Sequence, residues 1–287
     1  MEARPLTDSP TTPRLSANAA LQAQHDKILL RERRDDVYIL TLNCPENRNA
    51  LSEPMIAAIE RALVVIKVWL EVKSVIIAGA GPVFCSGHDL KTITEHRDDG
   101  DSGKAYYKKL LVQCTRLMKT LAEYPKPIIA VVEGTAMAAG VQLVSSCDLA
   151  VASSVARFCT PGVNIGFFCH TPAVALSRNL TRKHAMEMLL TGEMLPASRA
   201  YDMGLVNRVA PEGKALDEAI AMAKIISQKS PQALAMGKQS YYAQEGLPLE
   251  EAYSTASDFM VDNILMSDAV EGVDAFLNKR KPEWKMG

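Results

Sequence analysis

The chain is 287 residues long, 48% hydrophobic and only 6% aromatic, with a formal net charge of −1. Such a length suits one large domain or one domain with an appendage, and the core must be built from Ala, Val, Ile, Leu and Met. The near-neutral charge gives no electrostatic reason to expect nucleic acid or an anionic membrane as partner, and no apolar run approaches the ~20 residues needed to span a bilayer.

In chain order, the first segment, 1–24, is rich in Pro, Ser, Thr and Ala without apolar periodicity and is expected to be a disordered tail. Organelle targeting stays open as an alternative, although Glu2, Asp8 and three prolines count against an amphipathic leader. A polar hairpin signal at 33–36 precedes a β-branched strand, Val37–Leu42. Apolar residues recur at helical spacing over 54–70, with Ser52 placed as the N-cap. The segment SVIIAGAGPVFCSGHDL reads as a buried strand over 74–78, a turn at 79–82, and small residues leading into a helix capped by Asp89. A long helix is expected over 102–124, stopping before Pro125. The segment IIAVVEGTAMAAGVQLVSSCDLA repeats the plan, with a strand over 127–132, a small-residue turn, a buried helix over 140–146 and a short strand over 149–152. Alternating strands and helices argue for an α/β fold. After Pro211 come helical stretches at 214–230, 231–245, 249–265 and 269–279, with no strand among them. No internal repeat is visible.

The six cysteines are scattered without a CxxC pair and read as reduced, small core hydrophobes; no Cys or His spacing suits zinc. A cytoplasmic location is expected, with an organelle matrix as the alternative.

The two Gly/Ala/Ser turns carry the chemical signal. Small side chains let the backbone come close to a ligand, and N–H groups at a helix start are free to donate. Two such turns facing each other would aim two backbone donors at one oxygen, which is what stabilising a developing oxyanion requires. Neither turn supplies a catalytic carboxylate.

These residues make the chain resemble a known family. FCSGHDL, then GTAMAAGVQLVSSCDLA, then RFCTPGVNIGFF are similar to segments of the crotonase (enoyl-CoA hydratase/isomerase) superfamily. PENRNALS near the front, LTGEMLPASRAYDMGLVNRVAP and the C-terminal FLNKRKPEW extend the resemblance from about Lys27 to Trp284, in the family's order and spacing. The SGHDL and TPGVNIG motifs resemble the enoyl-CoA hydratase domain-containing branch. The resemblance implies a spiral of ββα turns over 25–213. It also implies a helical trimerisation region over 214–287, giving a homotrimer or a dimer of trimers. The implied ligand is an acyl-CoA or enoyl-CoA thioester, with coenzyme A arriving as part of the substrate and no cofactor bound permanently.

Residue by residue, His88 and Ala139 match the family's two oxyanion-hole donors, which act through backbone N–H. The His88 side chain is then expected to line the pocket. Gln142 and Gly162 occupy the positions of the two hydratase glutamates. One such glutamate takes a proton from water while the other orients it and returns a proton to the α-carbon. Gln142 can orient water but cannot accept a proton at neutral pH, and Gly162 has no side chain. A poor classical hydratase is therefore expected. His170 falls where isomerases of the superfamily carry their single glutamate; it is either a proton-shuttling base or a loop histidine beside Phe167, Phe168 and Cys169. Asp89 and Asp148 are read as a helix cap and a structural carboxylate. Arg48, Ala50, Ser86, Leu90 and Lys91, with Phe276 and Lys279 from the C-terminal helix, match positions that contact coenzyme A. Three functions remain open: an enzyme acting through a stabilised enolate, a weak hydratase using water held by Gln142, and a non-catalytic acyl-CoA binder.

Overall fold

The structure is a computed structural model describing residues 27–285; the tail expected at 1–24 lies outside them. The chain opens with a hairpin of β1 (Leu29–Arg34) and β2 (Val37–Leu42), turned through Asp35 at φ 55°. Asp tolerates that left-handed geometry better than most residues. Ser52 caps α1 (Glu53–Lys67), its Oγ accepting the Met55 N–H at 3.4 Å. Pro54 sits in the first turn, where a missing N–H costs nothing.

From there the chain winds through three turns of one plan: a strand in a six-stranded sheet, a three-residue strand in a second sheet, then helix. The first comprises β3 (Ser74–Gly79), β4 (Val83–Cys85), α2 (Leu90–Glu95) and α3 (Lys104–Ala122). The second comprises β5 (Ile128–Val132), β6 (Thr135–Met137) and α4 (Ala139–Ser146). The third comprises β7 (Leu149–Ser153), β8 (Arg157–Cys159) and α5 (His170–Asn179). The large sheet runs β1-β2-β3-β5-β7-β10 and the small one β4-β6-β8-β9, with β9 at Leu195–Pro196 and β10 at Arg208–Ala210. Helices α6 (Arg182–Thr191) and α7 (Ala197–Asp202) lie on either side of β9. This is the crotonase spiral. It leaves no repeat in the sequence because strands of three residues are too short to carry a periodic signal.

Both faces of the large sheet are buried along its central strands β3, β5 and β7. Along β3, Val75 and Ile77 face the main core while Ile76 and Ala78 face a second, smaller one. Alternation across the pleat then looks like a continuous apolar run, which is how SVIIA reads. The second face is covered by Ala215, Ala219, Met222 and Ala223 of α8 (Ala215–Ser227). Glu133, in the link between β5 and β6, caps that helix by accepting from the Gly213 and Ala215 amides at 3.1 and 2.8 Å.

Three further helices follow: α9 (Pro231–Gln244), α10 (Leu249–Leu265) and α11 (Ser267–Leu277). Their predicted extents are met closely, since Pro231 and the helical spacing mark them plainly. Asp148 anchors α9 to the core. Its carboxylate accepts the Ile128 amide at 2.7 Å and the Tyr242 hydroxyl at 3.2 Å, and pairs with the Lys238 ammonium. Burial pushes Asp148 up and Lys238 down, against the pull of their mutual attraction. The structural reading of Asp148 is what the geometry supports.

Candidate functional site

The first turn is organised from the PENRNALS segment. A 3-10 turn at Pro45–Asn47 ends in two left-handed residues, Arg48 and Asn49, both at φ 51°. Asn49 is fully buried; its amide donates to the Ala80 and Val83 carbonyls at 2.9 and 2.7 Å, and its Oδ1 accepts the Cys44 amide at 2.8 Å. That stitches the segment to the β3–β4 link. The main chain then lies alongside the SGHDL turn, with Ser86 N–H donating to the Arg48 carbonyl and Leu51 N–H to the Gly87 carbonyl. His88 Nδ1 is 3.1 Å from the Leu51 carbonyl, which can only accept, so Nδ1 carries the proton. Burial holds the imidazole below its ordinary value, and its buried Nε2 has no hydrogen-bond partner. Asp89 caps α2 through the Lys91 amide at 2.9 Å, as expected.

The second turn leaves β6 through Ala138, at φ 48° and ψ −116°. Holding an alanine there costs of order 1–3 kcal/mol. The Ala138 N–H donates to the Cys159 carbonyl at 3.0 Å, and the Ala138 carbonyl accepts the Gln142 amide at 3.2 Å. The two turns touch. A Cβ on Gly87 would lie 3.0 Å from Ala138 Cβ and 3.1 Å from Ala139 N. One on Gly140 would lie 2.2 Å from the Cys85 carbonyl oxygen. Ala139 is the first residue of α4, so its amide has no intrahelical acceptor. Among the described residues the His88 amide has no backbone acceptor either. Two unpaired N–H groups therefore flank the Gly87–Ala138 contact. Asn49, Ala138 and the close approaches of Gly87 to Ala138 and of Gly140 to Cys85 were not singled out from the sequence. Alanine at a positive φ leaves no sequence signal, but Gly87 and Gly140 within small-residue runs do.

All eight residues of α4 are buried, Gln142 at 4% exposure with its Oε1 unpartnered. Gly162 lies in a 3-10 turn, Pro161–Ile165. A Cβ there would meet the Phe167 carbonyl oxygen at 2.9 Å and Cys169 Sγ at 3.0 Å. The helix and this turn, AGVQLVSS and PGVNI, carry no carboxylate. His170 opens α5 with its ring exposed and 5.0 Å from that of Phe168. The C-terminal end of α5 is tied to α4 by Asn179, whose amide donates to the Ser145 carbonyl at 2.9 Å. Burial pushes Cys85 up to about 12 and also raises Cys169, which disfavours the thiolate at both. Among the described residues no cluster of His, Cys, Asp or Glu gathers to hold a metal ion.

Of the positions matched to coenzyme A contacts, Arg48, Ala50, Ser86, Leu90 and Lys91 lie on the first turn and its support. Ala50 is buried, Ser86 half-buried, and Arg48, Leu90 and Lys91 exposed. Phe276 and Lys279 are elsewhere: α11 packs mainly on α10 and α9, and Phe276 is 82% exposed. Two large cavities, of about 940 and 770 Å³, are lined by none of these residues.

The family described as enoyl-CoA hydratase/isomerase matches residues 32–287. Enoyl-CoA hydratase domain-containing protein 3, mitochondrial, of Rattus norvegicus is 42% identical over 269 residues, covering 94% of this chain and 88% of that protein. The solved enoyl-CoA hydratase of Mycobacterium smegmatis has a TM-score of 0.83 at 46% identity, covering 90% of this chain and 98% of that one. Human enoyl-coenzyme A hydratase domain-containing protein 3 has a TM-score of 0.81 at 40% identity, covering 90% of this chain and all of that one. With a family match over nearly the whole chain and the same fold in both solved relatives, the chain belongs to the enoyl-CoA hydratase/isomerase family of crotonases.

Proposed function

We propose that the chain binds acyl-CoA or enoyl-CoA thioesters, seats the thioester oxygen between the His88 and Ala139 amides, and stabilises an enolate without being an efficient hydratase. The observation that carries this reading is the direct contact of the two turns, with an unpaired amide on either side of it. When a proton leaves the α-carbon, its electron pair moves into the carbon–carbon bond and the carbonyl oxygen gains the charge. Each donor aimed at that oxygen is worth about 3 kcal/mol of barrier. Hydration needs more, since a water must lose a proton, and neither Gln142 nor Gly162 can take it. His170 falls where isomerases of the family carry their glutamate and is the candidate base; the alternative is a loop histidine lining the acyl pocket.

A second reading, a non-catalytic acyl-CoA binding homologue, is favoured by the exposure of His170 and by the crowding at Gly162. We take the assembly to be a homotrimer or a dimer of trimers, which would cover exposed apolar residues such as Leu249, Leu265 and Phe276. An organelle matrix is favoured over the cytoplasm because the rat relative is named as mitochondrial.

Thermal unfolding with crotonyl-CoA, butyryl-CoA and coenzyme A tests the ligand. At a hundredfold excess over Kd a ligand of the folded state adds about 2.7 kcal/mol. An unchanged midpoint with every ester would refute the reading. Proton NMR in D₂O then separates the two versions: loss of the α-proton signal of bound butyryl-CoA supports the enolate, and binding without exchange supports the binder.

A further inference from the structure

At the opposite end of β3 and β5 from the two turns lies the cavity of about 940 Å³, a groove open to solvent along one side. Val72 and Lys73 line it just before β3, Lys126 and Pro127 just before β5, and α9 contributes a wall through Leu234, Met236 and Tyr242. Six strand residues, about 20 Å, separate it from the oxyanion turns. Its lining has two characters. Much of it is apolar, including Leu70, Val72, Pro125, Ile226, Leu234 and Met266. Set among these are four lysines, Lys67, Lys73, Lys126 and Lys229, with Glu123 as the one acid.

Among the described residues none of these four lysines forms an ion pair, although the nearby Glu71 charge favours the charged form of Lys126. The lysine ion pairs of the described residues belong to Lys109, Lys119, Lys214 and Lys238, and Glu123 already lies 4.0 Å from Lys119. Lys126 donates to the Ile66 and Trp69 carbonyls, each at 2.6 Å, and so keeps its ammonium at the C-terminal end of α1 with one N–H to spare. Burial and the neighbouring Lys73 charge push Lys126 down to about 8. Cations beside apolar walls, in a volume at the upper end of small-molecule sites, match a ligand with an anionic head and an apolar chain.

We propose that this cavity binds a fatty carboxylate, its head among Lys73, Lys126 and Lys229 and its chain against Leu70, Leu234 and Met266. The site is independent of thioester binding at His88 and Ala139. A free fatty acid and an acyl-CoA both offer an anionic head on an apolar chain, so calorimetric titration of the full chain uses palmitate, palmitoyl-CoA and coenzyme A separately. Palmitate should bind with one site per chain. Lys73→Gln and Lys229→Gln should each weaken it about tenfold through loss of a charge-assisted contact. Leu234→Trp, which narrows the groove where the chain would lie, should weaken it further, while none of the three alters palmitoyl-CoA binding. With isotopically methylated lysines, bound palmitate should raise the Lys126 midpoint from about 8, because a nearby carboxylate favours the charged form. The proposal is overturned if palmitate shows no saturable binding, or if its binding ignores both lysine substitutions. It is equally overturned if palmitate competes with palmitoyl-CoA for one site, or if Lys73→Gln changes sedimentation while palmitate does not bind.

Discussion

Gly140→Ala isolates the contact between the two turns on which the proposed oxyanion geometry depends. Position 140 is in the first turn of α4, where replacing Gly by Ala normally stabilises a helix by about 1 kcal/mol. Here the new methyl would stand 2.2 Å from the Cys85 carbonyl oxygen and 2.9 Å from the Cys85 Cβ and carbonyl carbon. Ordinary contact needs about 3.4 Å, so one turn must retreat by roughly 1.2 Å, and the opposing atom is backbone that cannot rotate aside. Overpacking of this kind costs about 1–3 kcal/mol, enough to outweigh the helix-propensity gain. A misplacement of about 1 Å between catalytic elements can cost 10²-fold in rate. The variant should therefore melt lower than wild type, and α-proton exchange of butyryl-CoA in D₂O should fall by about two orders of magnitude. A variant that is as stable as wild type and exchanges at the same rate would refute the close approach of the two turns.

Removing one member of the largely buried Asp148–Lys238 pair should be expensive. Lys238→Met should lower stability in urea by about 3 kcal/mol, and combining it with Asp148→Asn should recover part of the loss; equal losses would contradict the anchoring role. The change Gln142→Glu with Gly162→Glu should not restore hydration, because the Gly162 side chain would be built 2.9 Å from the Phe167 carbonyl. Recovery of crotonyl-CoA hydration in that variant would show that the turn yields. His88, held below the ordinary imidazole value of 6.5 by burial, contributes stability that is present above 6.5 and lost as pH falls through its lowered value. Thermal midpoints at pH 7.5 and 5.5 should fall more in wild type than in His88→Gln, and parallel slopes would refute the assignment.

Much of this architecture was legible in the residues. Ser52, Asp35 with Asp36, and Pro231 announce element starts through local chemistry, and the apolar runs of β3 and β5 announce strands buried on both faces. The three-residue strands β4, β6 and β8 could not be read, because they are specified by pairing across the small sheet and not by any local pattern. In the site, the positions of His88, Ala139, Gln142 and Gly162 followed from the resemblance, while their spatial relation did not. That relation rests on the side-chain bonds of Asn49 and on the unusual backbone of Ala138, both consequences of tertiary packing. The exposure of His170 and the distance of α11 from the turns were likewise beyond a one-dimensional reading, because they depend on how helices pack.

The central claim is that an oxyanion hole is kept while the hydratase carboxylates are gone. Crotonyl-CoA hydration, followed by loss of enone absorbance beside an ordinary crotonase, tests it most directly. A positioned acid or base group contributes about 10²–10⁴-fold, so turnover should lie at least two orders of magnitude below the reference enzyme. The same preparation should still bind the ester. Turnover within tenfold of the reference would contradict the account and require a base that neither Gln142 nor Gly162 supplies.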